Sequence, residues 1–250
     1  MILTIARTEL KRMFYSPLAW SVLAVVQFLT CSLFVWRVEV FSQYQIQAAG
    51  LENSFGVTDI VVSWTFEAVA WFLLVIVPLM TMRTLSEEKS NKSLTLLTSS
   101  PLSVSELVFG KYLGLLGFLL IMLGMITLMP LSLASSTSLD WGKIAAGLLG
   151  LTLLVGSFGA AGMYLSSLTT QPIIAAVSSF GLLLFLVILY ILGNSQATGS
   201  NLFIYLSHYE HLASFLRGVF DTSDLAYYLL FIAGFLILTI HRLDNERLQR

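Results

Sequence analysis

Residues Ile60–Met82 read IVVSWTFEAVAWFLLVIVPLMTM, and Arg83–Pro101, directly after them, read RTLSEEKSNKSLTLLTSSP. The first stretch is apolar apart from Glu67, a few small polar residues and Pro78, and has the length of a helix that crosses a hydrocarbon core about 30 Å thick. The second is charged and hydroxyl-rich and cannot share that environment. Further apolar stretches of comparable length occupy about Leu18–Trp36, Ser105–Leu133, Ile144–Leu165, Ile173–Leu192 and Leu225–Ile240, so the reading is six spans. Composition agrees: of 250 residues 57% are hydrophobic and 11% charged, and the mean hydropathy is +0.86. A soluble chain carries roughly 25% charged residues, so this one lacks the polar surface to coat a globule. The expectation is an all-α polytopic membrane protein, one transmembrane domain over residues 1–250 with no repeat or soluble domain.

Lysines and arginines near the span ends set the orientation. With the N-terminus inside, the inner side holds Arg7, Lys11, Arg12, Arg83, Lys89, Lys92, Lys111, Arg242, Arg247 and Arg250. The outer side then holds Arg37, Lys143 and Arg217, with Glu39, Glu52, Asp59, Asp140, Glu210, Asp221 and Asp224. Both termini are therefore expected in the cytoplasm, and Arg83–Pro101 with them. Ile2–Tyr15 is basic and amphipathic, which suits a helix lying in the membrane interface or a solvated lead into the first span. That span ends in Trp36-Arg37 rather than at a small-residue cleavage site, so it reads as a retained helix, not a signal peptide. Ser103 and Glu106 form a capping box at the start of the third span.

Chemistry within the chain is sparse. There is no phosphate-cradling G-x-x-x-x-G-K-[ST] run, and the lone cysteine, Cys31, excludes a disulfide framework. His208 and His211 are three apart, as a metal pair or as ordinary residues of an outer interfacial helix over 208–222. None of the three histidines is expected deep in a span. Glu67 is either an intramembrane carboxylate on a transport pathway or, if the span shifts by one turn, an interfacial residue. Gly156, Gly159 and Gly162 make a small-residue stripe suited to close helix packing. Within Arg83–Pro101, Glu88 and Lys92 have the favourable i,i+4 order, and Leu85, Leu94, Leu96 and Leu97 supply apolar contacts. The segment reads as a short helix docking on a soluble partner, or as a plain solvated loop.

Pro78-Leu79, Thr81-Met82-Arg83, Glu87-Glu88-Lys89, Leu94, Leu96-Leu97, Pro101, Ser103, Glu106, Val108 and Gly110-Lys111 together resemble the first cytoplasmic loop of ABC-2 type transporter permeases. Lys92-Ser93 stand where that family usually has Gly-Thr, and Thr95 where it has Glu. Ser166-Ser167-Leu168-Thr169 with Gln171 and Ala175-Ala176 resemble the family's turn between spans four and five. His211, Phe215, Arg217-Gly218-Val219, Asp221, Asp224 and Tyr227-Tyr228 resemble the last outer loop of its gliding-motility and nitrous-oxide-reductase-maturation subgroup. The resemblance implies a non-catalytic permease subunit of the bacterial inner membrane that pairs with a second permease chain, the same or a paralogue. It implies a separate ABC ATPase subunit that binds ATP and Mg, an auxiliary periplasmic or membrane-anchored protein, and no cofactor or nucleic acid. It also implies Leu85, Glu87, Glu88, Lys89, Leu94 and Leu97 as the ATPase contacts of a coupling helix. An ATP-independent channel or secondary transporter, or a structural anchor, is the alternative; absence of a discontinuous helix pair or buried charge cluster weighs against the transporter.

Overall fold

The computed structural model describes residues 1–47, 56–91, 103–193 and 201–248. Among these there are helices and connecting turns and no strand. Helix α1 is Ile2–Tyr15, α2 Pro17–Gln47, α3 Ser63–Thr81 preceded by a π-helical turn at Thr58–Val62, and α4 Ser86–Ser90. Helix α5 is Val104–Ser132, α6 Trp141–Leu168, α7 Pro172–Gly193, α8 Asn201–Leu206, α9 His208–Leu216 and α10 Thr222–Leu248. Six of them (α2, α3 with its flanking turns, α5, α6, α7 and α10) are long and apolar enough to cross a membrane.

Local chemistry explains the boundaries. The Ser103 side chain accepts from Glu106 N–H, and Glu106 reaches back to the Ser103 amide, so α5 begins at a closed capping box. Asp140 caps α6 by accepting from Lys143 N–H. Pro172, which has no N–H to lose, opens α7. Two helices run past the edges read from hydropathy. Helix α2 continues through Arg37 and Glu39 to Gln47, and α10 takes in the residues read as a basic tail. Polar residues end a hydrophobic stretch without ending a helix, because the backbone ladder is indifferent to what lies outside it.

Helix α6 is the axis of the bundle, touching α3, α5, α7, α9 and α10. Leu73 and Val77 of α3, Phe118, Leu119 and Met122 of α5, and Leu151, Leu154 and Phe158 of α6 form the main core. Phe28 of α2, Ile173 of α7 and Leu230 of α10 are more than 70% exposed. In water such faces would aggregate, whereas against lipid tails they carry no penalty. The glycine stripe lies inside the bundle. A Cβ on Gly156 would stand 3.0 Å from Tyr112 Oη and 3.1 Å from Ile232 Cδ1, and one on Gly162 would stand 2.8 Å from Thr81 Cβ. Helix α1 crosses α5 on a second stripe that the sequence reading passed over: a Cβ on Gly110 would meet Ile5 Cβ at 2.6 Å, and one on Gly114 would meet Ala6 O at 2.9 Å.

Candidate functional site

The segment between α3 and α5 leaves the bundle at Pro78, whose ring removes one helical hydrogen bond a turn before the helix ends. It then folds back. The amides of Leu85 and Ser86 donate to Ser166 Oγ at 3.3 and 3.0 Å, and Ser166 Oγ donates to Met82 O at 3.3 Å. The end of α6 thus supplies the cap for α4. Leu85 is fully buried with Val104, Leu107, Val108, Met163 and Leu243.

Charges complete the junction. Glu88 accepts from Lys111 Nζ at 2.6 Å and from Arg12 at 2.9 Å, and Lys111 also bonds Glu9. The Lys111 side chain is only 1% exposed and that of Glu88 6%. Arg83 pairs with Glu87 at 3.0 Å and donates to Ser16 Oγ at 3.2 Å. Lys89 pairs with Glu246 at 2.6 Å and donates to the Ser167 carbonyl. Glu88, read as the helical partner of Lys92, is therefore engaged with α1 and α5, while Lys92 lies outside the described residues. Arg12, half-exposed, donates to Glu88.

Of the residues read as partner contacts, Leu85, Glu88 and Lys89 are turned into the chain and Glu87 is partly exposed; Leu94 and Leu97 lie outside the described residues. A buried Lys flanked by two carboxylates is stable only as a set, because removing one member leaves an uncompensated charge in a poor solvent for it. What this arrangement can do is mechanical: α4 is tied to α1, α5, α6 and α10 at once, so a load on it reaches four helices.

The opposite end of the bundle encloses two histidines. Residues 208–222 were expected as an outer interfacial helix, with no histidine deep. In the structure α9 packs against α6, α7 and α10, α8 packs against α7 and α9, and both His208 and His211 are buried. Phe215 lies against Gly150, near the start of α6, whereas the His208 ring lies 5.7 Å from that of Phe158. Phe158 is about 26 Å along α6 from Trp141, on a helix about 42 Å long. Phe158, Tyr227, Tyr228 and Phe231 enclose the His208 ring, a tertiary circumstance that hydropathy does not register.

His211 Nδ1 is 2.6 Å from Asp224 Oδ1 and its Nε2 is 2.8 Å from the Tyr205 carbonyl. The carbonyl only accepts, so Nε2 carries a proton, and a second proton lies between Nδ1 and Asp224. Tyr227 donates to the Leu206 carbonyl at 2.7 Å and therefore accepts from His208 Nδ1 at 2.9 Å. Burial pushes the His208 imidazole far below its usual range, which keeps it neutral. With both His211 nitrogens occupied, the two rings do not converge on a common point. Among the described residues no group of three His, Cys, Asp or Glu could hold a metal ion.

A cleft of about 380 Å³ opens at this end between α2, α3, α7 and α9. Glu67 lies in its wall and accepts from the Tyr209 hydroxyl. Burial, with Glu67 beside it, raises the Tyr209 phenol above its ordinary value. Tyr209 also packs against Tyr190, the rings tilted and their centroids 4.7 Å apart. Arg37 lies 4.5 Å over the Trp64 ring.

No curated protein is similar enough to this chain to count as a match. A family model described as ABC-2 family transporter protein matches residues 3–248. That span takes in the junction, all six long helices, α8 and α9. The chain is a multi-pass membrane protein, and it belongs to the ABC-2 transporter family.

Proposed function

We propose that the chain is the permease subunit of an ABC transporter of the bacterial inner membrane, pairing with a second permease chain and with a separate ATPase subunit that binds ATP and Mg. ATP-driven closure of the ATPase moves the segment after α3, and the movement drives export or transmits force across the membrane. The observation that carries this reading is the fourfold tie of α4, through Ser166, Glu88–Lys111, Arg12 and Lys89–Glu246. A segment that only linked two spans would have no need of a buried ionic set.

In this reading Glu87 and the leucines at 94 and 97 meet the ATPase, while Leu85, Glu88 and Lys89 transmit the load inward. Both termini lie in the cytoplasm, consistent with the excess of Lys and Arg on that side, and α1 lies in the interface. Glu67 belongs to the outward pathway, and the glycine stripe of α6 keeps the moving helices in register. The His211–Tyr228 region supports membership of the gliding-motility and nitrous-oxide-reductase-maturation subgroup, whose auxiliary protein would meet the hairpin end.

The test is co-purification with the native ATPase followed by its turnover. Glu88→Gln is expected to leave the complex assembled but lower stimulated turnover, and Glu87→Gln to weaken assembly. Unchanged assembly and unchanged turnover in the double variant would refute the reading. The interrupted helix pair α8–α9 with its buried His–Asp contact favours a second reading, an ATP-independent transporter, since interrupted helices mark many of those. Transport that persists in vesicles without the ATPase would select it.

A further inference from the structure

The three cations expected on the outer side, Arg37, Lys143 and Arg217, are far apart in sequence, yet the fold gathers them at one place. Arg37 and Arg217 line the cleft between α2, α3, α7 and α9, and Lys143 is bonded at 2.6 Å to Asp59, which lines it too. Asp59 is therefore already neutralised. Glu67 is held by a neutral phenol. Neither Arg37 nor Arg217 has an ion pair among the described residues, and Arg37 Nε is buried without a hydrogen-bond partner. A buried guanidinium N–H without an acceptor is costly unless a ligand supplies one. The flank is aromatic, from Trp64, Tyr190 and Tyr209, and the cleft lies beside α2, α3 and α7, which are long and apolar enough to cross a membrane.

We propose that this cleft binds a phosphate-type oxyanion carried on an amphiphile, with Arg37 and Arg217 holding the phosphate and the aromatic wall receiving the adjoining apolar part. Arg37 is the anchor, since Trp64 beneath it fixes the planar fork and directs its donors, whereas Arg217 is exposed and closes on the ligand from α9. The site requires only that this end lie at a membrane surface. Which leaflet supplies the ligand follows from the proposed topology.

The test uses the purified full-length chain in neutral detergent, with dihexanoyl-phosphatidylglycerol as the probe and tryptophan emission as the readout. Dihexanoylglycerol, which lacks the phosphate, and inorganic phosphate form the other arms. Saturable binding of the phospholipid is expected, weakened about tenfold by Arg37→Gln and by Arg217→Gln and unchanged by Lys11→Gln in α1. Competition by inorganic phosphate with the same arginine dependence identifies the free ion as a sufficient ligand, and absence of competition identifies the lipid; either supports the site. Equal binding of dihexanoylglycerol, wild-type affinity in both arginine variants, or no saturable binding overturns it. If Arg37→Gln fails to fold, the exposed Arg217→Gln carries the comparison. ATPase assembly plays no part here, so failure of this site leaves the permease reading untouched, and the converse.

Discussion

Replacing Lys111 by Met is the most direct test of the junction. The side chain is 1% exposed and stands between Glu9 and Glu88, each of them also near Arg12. Methionine fits the space but leaves two buried carboxylates facing each other across it. Breaking a buried ion pair by removing one partner costs about 3–5 kcal/mol. Arg12, half-exposed, compensates part of this, so the lower end of that range is expected. For a chain of this size about 2–4 °C of thermal midpoint accompanies each kcal/mol, giving a fall of roughly 6–12 °C. The assay is thermal unfolding of the detergent-solubilised chain, followed by tryptophan emission. Adding Glu88→Gln to Lys111→Met removes one of the stranded charges and is expected to recover part of the loss, a coupling of about 1–3 kcal/mol. A fall of less than about 2 °C, or strictly additive single and double variants, would mean that the buried set does not hold the junction together.

Other outcomes follow from the same geometry. Gly114→Ala drives a methyl into the Ala6 carbonyl and Glu9 Cβ, so it is expected to destabilise by about 1–3 kcal/mol. Gly124→Ala, with open space around it, is expected to be neutral or to stabilise by up to about 1 kcal/mol. Asp224→Asn weakens the contact with His211 and is expected to cost about 1.5–3 kcal/mol, read as faster proteolysis between α9 and α10. Burial takes the His208 imidazole from 6.5 to about 3, so between those values the unfolded chain binds a proton that the folded chain refuses. Its contribution leaves stability undiminished above about pH 6.5 and lowers it as pH falls, by about 1.4 kcal/mol per unit. The midpoint-versus-pH curve of His208→Gln is accordingly expected to be flatter than that of the wild type over that range.

Much of the scaffold was legible before any coordinates. An apolar run of some twenty residues has one stable state in lipid, a helix that satisfies its own backbone, so Ile60–Met82 announces a span whatever its neighbours do. The capping box at Ser103 and Glu106 is equally local, since both partners lie within one turn. The G-x-x-x-G of Gly110 and Gly114 was also readable, but nothing in the sequence names α1 as the helix that covers it. The i,i+4 rule that paired Glu88 with Lys92 is limited for a comparable reason. It ranks neighbours on one helix and is blind to Lys111 and Arg12, which arrive from elsewhere in the chain.

The sequence by itself determined the number of spans, the helical class and the uneven distribution of Lys and Arg, because each depends on hydropathy or charge summed over a short window. Only the tertiary structure decided that Leu85, Glu88 and Lys89 face inward, that residues 208–216 pack beside α6, and that Arg37 and Arg217 share a cleft. A polar residue is tolerated inside the bundle when distant groups bond it, as Tyr227 bonds His208 Nδ1 and Lys111 bonds Glu88. Those partners lie between 19 and 23 residues away, beyond any local pattern, and only packing brings them within hydrogen-bond reach.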